Sequence, residues 1–329
     1  MILAGDIGGT KVNLGVFETA GNTLRLAETA TFLTRDYSGI SEILSEFITS
    51  TGRPQEVLSL GVAGPVTGSS CRLTNIDWEI DAGSLKQELG FSEVLLVNDL
   101  AAGAAGLPFL REGDVQVLQP GRPDSNGRKA IVSAGTGLGQ AFLIPEAAAD
   151  RWLIVDTEGG QCGLPAYCIE DLEIMQYFHG LGSPVAVEHV LSGQGLVRLF
   201  QYYRSRQGRG DDSLPAPDLT VEEIVVRSRN DERGPCREAV NRFASFLGGV
   251  AGDLALQGLA TGGIYLGGGI APAISHCLAE GSFLKSFNNR DKFHGWMRTV
   301  PVYLILNERS PLWGAAELVV GGRVVMARH

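Results

Sequence analysis

The residues best suited to chemistry stand near the start of the sequence, where a carboxylate and a glycine turn separate two apolar runs. Residues 2–17 read ILAGDIGGTKVNLGVF, which predicts two strands joined by a tight turn. Glycines let backbone N–H groups approach phosphates, the threonine hydroxyl adds a donor, and Asp6 is able to hold a hydrated magnesium ion. The pattern predicts an ATP phosphate site made of Gly5, Asp6, Ile7, Gly8, Gly9 and Thr10.

Two other phosphate-binding loops do not fit this segment. A Walker loop needs a Gly-Lys pair at the start of a helix, and the sequence contains no such pair. A Rossmann turn also leads into a helix, whereas residues 12–17 alternate as a strand does. An ordinary β-hairpin, in which the glycines only form the turn, remains the alternative.

A second segment repeats the pattern. Residues 130–144 read AIVSAGTGLGQAFLI, again a strand, a turn of glycine and threonine, and a strand. A duplicated unit would place its two turns on either side of one phosphate chain. Ala134 stands where the first copy has Asp6, so we expect one metal-binding side only. The candidate ATP-binding residues of this copy are Gly135, Thr136 and Gly137.

A third glycine cluster lies at residues 262–272, between a short apolar strand and a helix with Pro272 near its first turn. Glycines at such a strand end let the chain pass close to a flat ligand. Gly267, Gly268 and Gly269 are therefore candidates for contact with the adenosine of ATP. Tight packing between the strand and the helix is an equally good explanation of these glycines.

Asp99 is the candidate catalytic base. It follows the apolar strand 94–97, and ligands of α/β sheets bind at the carboxyl ends of strands. An ionised Asp99 only accepts hydrogen bonds, whereas Asn98 also donates them, and a sugar hydroxyl requires that combination. The alternative role of both residues is to cap a helix over 100–107, which is compatible with catalysis.

In their order along the chain, these segments resemble the sugar-kinase, Hsp70 and actin superfamily, and more closely the bacterial glucokinases of the hexokinase-related type. The resemblance spans nearly the whole chain. The motifs that carry it are Gly5-Asp6-Ile7-Gly8-Gly9-Thr10, Leu73-Thr74-Asn75, Val97-Asn98-Asp99, Gly135-Thr136-Gly137-Leu138-Gly139, Thr157-Glu158-Gly159-Gly160, Glu188 within residues 187–193, and Leu266-Gly267-Gly268-Gly269-Ile270.

The resemblance implies the fold and the assembly. The expected fold is α/β, a two-domain actin-like ATPase (ribonuclease H-like) duplication with an interdomain cleft. Residues 1–110 plus 302–329 would form the small α/β domain and residues 111–301 the large one. The resemblance also implies a homodimer.

The resemblance further implies ATP-dependent phosphorylation of glucose to glucose 6-phosphate. Asn98, Asp99, Glu158 and Glu188 would bind the sugar, and Asp99 would accept its proton. Gln161 would join them, but it departs from the family pattern, which has Glu-Gly-Gly-His at residues 158–161. A glutamine still donates and accepts hydrogen bonds but cannot become cationic.

Two other functions stay open on the sequence alone. The departure at Gln161 leaves room for a kinase of another hexose, such as mannose, fructose or an N-acetylhexosamine. A non-catalytic actin-like ATP-binding sensor is the alternative from a different class, and it would need no set of residues such as Asn98, Asp99, Glu158 and Glu188.

Composition limits which binding partners and which cellular location we expect. The chain has 329 residues and a net charge of −10, which disfavours nucleic acid as a partner. It has no apolar run long enough to span a membrane, and a strand begins at residue 2 with no room for a signal peptide. Five cysteines without a Cys-x-x-Cys pair are typical of reduced thiols. We therefore expect a cytoplasmic protein whose partners are ATP and a sugar.

A structural zinc ion is not expected. Kinases and repressors of the ROK type carry a cluster of cysteines beside their sugar-binding residues. Here Cys162 is followed only by Cys168, and no histidine stands nearby to complete four ligands. The expected cofactors are the ATP and Mg²⁺ that the glycine turns and Asp6 predict.

Periodicity predicts the remaining framework. An amphipathic helix is expected around residues 41–49, a strand at 57–62 and a polar loop at 208–217. Within residues 239–256, apolar side chains recur at helical spacing, which is most simply the buried face of a helix.

Overall fold

The structure is a computed structural model, and it describes residues 1–21, 23–53, 55–73, 76–180, 184–206, 219–230, 233–320 and 322–327. Thr74 and Asn75 of the motif Leu73-Thr74-Asn75 lie outside the described residues, as does the predicted polar loop at 208–217.

Strands and helices are both present throughout the chain. Up to residue 119 the elements are β1 (Ile2–Ile7), β2 (Lys11–Ala20), β3 (Thr23–Leu33), α1 (Ile40–Thr51), β4 (Val57–Val62), β5 (Val66–Thr67), β6 (Ser70–Arg72), β7 (Glu79–Asp81), α2 (Ala82–Leu89), β8 (Glu93–Asn98), α3 (Asp99–Gly106) and β9 (Val115–Gln119). The later elements are β10 (Lys129–Ala134), β11 (Leu138–Glu146), β12 (Arg151–Thr157), α4 (Ile169–His179), α5 (Val187–Val190), α6 (Gly193–Arg206), α7 (Val221–Asn230), α8 (Pro235–Gly258), β13 (Gly263–Gly267), α9 (Ile270–Ala273), α10 (Ser275–Ala279), α11 (Ser282–Asn288), α12 (His294–Met297), β14 (Val302–Ile305), α13 (Ser310–Val320) and β15 (Val324–Met326).

The chain divides into two compact units. The first unit contains Met1–Asp114, Ala141–Asp156 and Asn307–His329, and the second contains Val115–Gln140 and Thr157–Leu306. The domain boundaries that the resemblance implies, 1–110 plus 302–329 and 111–301, stay a prediction.

The first unit is built on a five-stranded sheet in the order β3-β2-β1-β4-β8. β1 pairs antiparallel with β2, and Ile7 and Val12 are the last paired residues before the hairpin turn. On its other side β1 pairs parallel with β4, which pairs parallel with β8. The predicted first hairpin is therefore confirmed, and it lies in the middle of a mixed sheet.

Both faces of this sheet are buried, because successive side chains of a strand point to opposite faces. Leu3 packs in one apolar cluster with side chains of α1 and α2. Ile2 and Ala4 pack in another cluster with side chains of α3 and α13. Gly314 of α13 lies directly against the backbone of α3, where a Cβ atom would overlap the carbonyl oxygen of Ala102.

The second unit contains the parallel strands β10, β13 and β14, with β9 antiparallel at the edge of the sheet. β10 is followed by the turn at residues 135–137 and then by β11, which confirms the second strand, turn and strand. The predicted helix over 239–256 is confirmed as α8, which contacts α6, α7 and α11. The apolar side chains of its predicted stripe, Val240, Phe243, Leu247, Val250 and Leu254, are all buried.

Candidate active site

The first unit brings three predicted site residues to one edge of its sheet. Strand register places Asp6 of β1 beside Gly61 of β4, and Gly61 beside Val97 of β8. Asn98 ends β8, and Asp99 begins α3. Because these parallel strands end together, the three polar residues lie at the edge where α/β sheets bind ligands.

Gly61 allows helix α3 to begin close to β1. A Cβ atom at this position would lie 2.9 Å from the Cβ of Ala102, and 3.6 Å from both the Cα of Asp99 and the carbonyl oxygen of Gly5. A larger residue would push α3 away from the strand ends. The sequence motifs do not include Gly61, although a glycine inside an apolar strand often marks such an approach.

Asn98 and Asp99 form the start of α3. The Leu100 N–H donates to Asn98 Oδ1 at 2.9 Å and to Asp99 Oδ1 at 2.8 Å. Asn98 Nδ2 donates to the Gly64 carbonyl oxygen at 3.4 Å. The capping role that the sequence left open is therefore real. It holds both side chains at the strand edge without using all of their hydrogen-bonding capacity.

The two carboxylates of this edge are destabilised in their ionised forms. Burial raises the pKa of Asp99, while backbone N–H groups at the start of α3 oppose the shift. Burial, followed by repulsion from Asp99, raises the pKa of Asp6 to about 6. A cation near Asp6 would relieve this repulsion, so the donor set fits a hydrated magnesium ion.

Asn13 and Thr31 orient Asp6, and the sequence analysis missed both residues. Asn13 Nδ2 donates to Asp6 Oδ2 at 3.4 Å, and Thr31 Oγ1 donates to Asn13 Oδ1 at 2.8 Å. The three residues lie opposite one another on β1, β2 and β3. The signal was present for Asn13, because a turn that pairs Ile7 with Val12 also pairs Asp6 with Asn13.

The turn at residues 8–10 is held by backbone and side-chain hydrogen bonds. Gly8 N–H donates to the Lys11 carbonyl oxygen at 3.0 Å, and Thr34 Oγ1 donates to the Gly9 carbonyl oxygen at 2.8 Å. The turn borders a cavity of about 380 Å³, lined by Gly9, Thr10, Leu33, Thr34, Arg35 and Ile76. The turn therefore faces open space on a rigid frame, as a phosphate-binding backbone requires.

The second unit brings Glu188 to the second glycine turn, residues 135–137. The Leu138 N–H donates to Glu188 Oε2 at 2.8 Å, and Gln161 Nε2 donates to Glu188 Oε1 at 3.2 Å. A Cβ atom on Gly137 would lie 2.5 Å from Glu188 Oε2. A side chain at 137 would therefore displace the Glu188 carboxylate from its present position at the start of β11.

Glu158 stands at the start of a short 3₁₀ turn that ends at Gln161, whose N–H donates to the Glu158 carbonyl oxygen at 3.0 Å. The turn is tied to α5, because the Val187 N–H donates to the Cys162 carbonyl oxygen at 2.9 Å. In the described part of the chain, the exposed Glu158 carboxylate has no hydrogen-bond partner. Gln161 and Glu188 are thus in direct contact, and Glu158 is linked to them through the backbone.

The third glycine cluster lies against the second glycine turn. β10 and β13 pair in parallel, with Ser133 opposite Gly267. Gly268 has a φ of +80°, and a Cβ atom there would overlap the backbone of Ala134. A Cβ atom on Gly269 would meet nothing within 4 Å. Close packing thus explains Gly268, whereas Gly269 borders space that a ligand is able to fill.

The described residues contain no group of three or more His, Cys, Asp or Glu side chains arranged to hold a metal ion. All five cysteines are free thiols. Within the same residues, no helix combines the length and the apolar character needed to cross a membrane.

A family model described as Glucokinase matches residues 3–320. The chain belongs to the glucokinase family. The glucokinase of Nitrobacter hamburgensis is 35% identical over 316 residues, which cover 95% of each chain. The predicted membership of this family is confirmed, and so is the prediction of an enzyme of the glucokinase class.

Solved structures show the same fold. The glucokinase from an Antarctic psychrotroph superposes with a TM-score of 0.82 at 29% identity, over 97% of this chain and 98% of that one. A ROK family glucokinase from Streptomyces griseus, solved in complex with glucose and AMPPNP, superposes with a TM-score of 0.65 at 23% identity, over 96% and 98%. The predicted actin-like ATPase fold is confirmed.

Proposed function

We propose that this chain transfers the γ-phosphoryl group of ATP to glucose, which yields glucose 6-phosphate and ADP. The observation that carries the proposal is the glucokinase family match over residues 3–320. The complex of the Streptomyces griseus relative with glucose and AMPPNP supports the choice of both substrates.

Asp99 is the general base in this proposal. The carboxylate takes the proton of the sugar hydroxyl as its oxygen bonds to the γ-phosphorus, and the bond from that phosphorus to the β–γ bridging oxygen breaks. Burial at the start of α3 raises the pKa of Asp99, which makes its carboxylate a better proton acceptor than an exposed aspartate. Gly61 supports this role by letting α3 begin at the strand edge.

Asn98, Glu158, Gln161 and Glu188 bind the sugar hydroxyls that do not react. Each Glu188 oxygen accepts one hydrogen bond from the protein, so a second lone pair on each is left for a hydroxyl donor. The Asn98 amide keeps one N–H beyond the one that it gives to Gly64. These groups orient the hexose so that its exocyclic alcohol faces the base.

The glycine segments bind ATP. Residues 5–10 and 135–137 contact the phosphates, and residues 267–269 lie near the adenosine. Asp6 would hold a hydrated Mg²⁺ ion, which would supply positive charge to the phosphoryl oxygens. Asn13 and Thr31 position the Asp6 carboxylate for this role. The domain boundaries and the homodimer that the resemblance implies remain part of the proposal, as does the cytoplasmic location that the composition predicts.

The proposal is tested by coupled ADP release from Mg-ATP over a panel of glucose, mannose, fructose and N-acetylglucosamine. We expect turnover with glucose, and only background turnover without a sugar. Turnover at the same rate without sugar would favour an ATPase or sensor. Rejection of glucose with acceptance of another hexose would keep the reaction and change the substrate.

A further inference from the structure

The first glycine turn offers hydrogen-bond donors to the cavity that it borders. The Gly9 carbonyl oxygen accepts from Thr34 Oγ1 at 2.8 Å, and the Thr10 carbonyl oxygen accepts from the Thr34 N–H at 3.1 Å. In the described part of the chain, the N–H groups of Gly9 and Thr10 donate no hydrogen bond. Because the acceptors of the turn are occupied and its donors are not, the turn favours a ligand rich in negatively charged oxygens.

Arg35 brings a cation to the same cavity. It lines the cavity together with Gly9 and Thr10, and its side chain is 81% exposed, so a ligand there has access to the guanidinium group. Thr34 is buried and bonded to the turn, which fixes the backbone of Arg35 beside that turn. A guanidinium group carries five N–H donors in a planar fork that matches the spacing of phosphate oxygens.

Asp36 holds Arg35 only weakly. Arg35 Nε lies 3.7 Å from Asp36 Oδ1, which is too long for a hydrogen bond, and the side chains are 81% and 58% exposed. Exposed ion pairs of this kind contribute little, whereas a hydrogen bond from an arginine to a phosphate is among the stronger ones in proteins. Arg35 is therefore able to exchange Asp36 for a phosphate at small cost.

The surroundings of the cavity do not cancel this charge. The lining residues other than Arg35 are uncharged. Thr74 and Asn75, which lie outside the described residues, are neutral types as well. The acid that follows them, Asp77, pairs with Arg72 at 2.7 Å. Among the residues that the structure describes, Arg35 is thus the cation that lines the cavity beside the turn.

We propose that the Arg35 guanidinium group binds the phosphate chain of ATP, next to the donors of the first glycine turn. This inference rests on the proposed function, in which residues 5–10 contact those phosphates. Asp6 and Asp99 already repel each other near the turn, and a triphosphate adds further negative charge. A cation on the opposite side of the phosphates reduces the repulsion that ATP meets there.

The test is isothermal titration calorimetry of the full chain with AMPPNP and Mg²⁺, in the presence of saturating glucose. Arg35→Gln removes the charge, and Arg35→Lys keeps the charge but not the planar fork. Asp36→Asn removes the ion pair and leaves the guanidinium group. Arg25→Gln is the matched control, because Arg25 is an exposed, ion-paired arginine near the other end of β3.

We expect Arg35→Gln to bind AMPPNP about tenfold more weakly or worse, as the loss of a charge-assisted hydrogen bond predicts. Arg35→Lys should bind with intermediate affinity. Arg25→Gln should match the wild type, and Asp36→Asn should bind at least as tightly as the wild type. Glucose affinity without nucleotide should be the same in all variants, and thermal unfolding midpoints show that each is folded.

Two results would overturn this inference alone. The first is a wild type that binds AMPPNP while Arg35→Gln binds it as tightly as Arg25→Gln does. The second is an equal loss of affinity in Arg35→Gln and Asp36→Asn, which would make the ion pair, and not a phosphate contact, the role of Arg35. A wild type that binds no AMPPNP would instead contradict the proposed function, and this inference with it.

Discussion

The two glycine turns of this chain share a pattern but obtain their carboxylates in different ways. In the first turn Asp6 is part of the strand itself, and Asn13 and Thr31 hold it from the next two strands. In the second turn Ala134 occupies the matching position, and the carboxylate is Glu188, which comes from a helix 50 positions beyond Leu138. The same local backbone thus carries an acid of its own in one copy and accepts an acid from a distant helix in the other.

Because of this difference, we expect variants in the two regions to have different kinetic defects. In the proposed function, Asp6 and Asp99 of the first region act on the reacting phosphate and proton, so their variants should lose turnover. In the same proposal, Gln161 and Glu188 of the second region bind the sugar without reacting, so variants there should change affinity and selectivity.

The largest effect is expected from Asp99→Asn. An amide cannot take a proton from the sugar hydroxyl, and loss of a general base lowers turnover by about two to four orders of magnitude. ATP affinity should be retained. Steady-state kinetics with glucose, together with calorimetry using AMPPNP, measures both quantities. Turnover near that of the wild type would remove Asp99 from the proposed role.

The next largest loss of activity is expected from Asp6→Asn. A neutral amide supports hydrated magnesium less well, and loss of such an outer contact costs about 10–100-fold in activity. Glucose affinity should stay the same, because Asp6 is not in the sugar-binding set. Kinetics across a magnesium titration and calorimetry with glucose alone separate the two effects. A variant that lost glucose affinity but kept its magnesium response would contradict the assignment.

Gly137→Ala tests the second turn. Its Cβ atom would lie 2.5 Å from Glu188 Oε2 and should displace the carboxylate from the Leu138 N–H. We expect the KM for glucose to rise about tenfold, the typical cost of a hydrogen bond to a charged group. Gly135→Ala is the control, because a Cβ atom there meets nothing within 4 Å. A rise in the glucose KM of equal size in both variants would argue against the Glu188 contact as its cause.

Gln161→His should change selectivity more than turnover. The variant replaces the amide that donates to Glu188 Oε1 at 3.2 Å. A hydrogen bond between the Gln161 amide and a sugar hydroxyl is a neutral one, worth about 1 kcal/mol, so the ratio of kcat/KM for glucose over mannose should change by tenfold or less. Efficiencies on both sugars measure this ratio. An unchanged ratio would show that Gln161 does not influence the substrate.

The smallest effect concerns pH. The Asn13 hydrogen bond lowers the pKa of Asp6 against the larger effects of burial and Asp99. Asn13→Leu should therefore raise the pKa of Asp6. On acidification, the variant should then lose activity at a higher pH than the wild type does. We expect a shift of less than about one pH unit, because the bond is long. A pH profile of kcat/KM measures it, with Thr31→Val expected to shift less. Movement to lower pH would contradict the sign.

Local patterns made much of this structure predictable. The alternation in residues 2–17 was sufficient to predict the first hairpin, and the apolar stripe was sufficient to predict α8. Each pattern depends only on residues that are close together in the sequence. Asn98 and Asp99 were located for the same reason, since they directly follow an apolar strand.

Contacts between distant segments were not predictable in this way. The Glu188 carboxylate at the Leu138 N–H, and the close approach of α3 to β1 over Gly61, depend on tertiary packing that no periodicity encodes. The roles proposed for Glu158 and Glu188 came from the family resemblance alone. Asn13 is the intermediate case, because the hairpin register already pairs it with Asp6.

The central claim is that the γ-phosphoryl group passes to glucose and not to water. Phosphorus NMR of the full chain with Mg-ATP, recorded with and without glucose, measures both fates in one sample. We predict that glucose 6-phosphate and ADP form in equal amounts when glucose is present, and that ATP stays intact without it. Orthophosphate released at the same rate in both samples, with no sugar phosphate, would contradict the account.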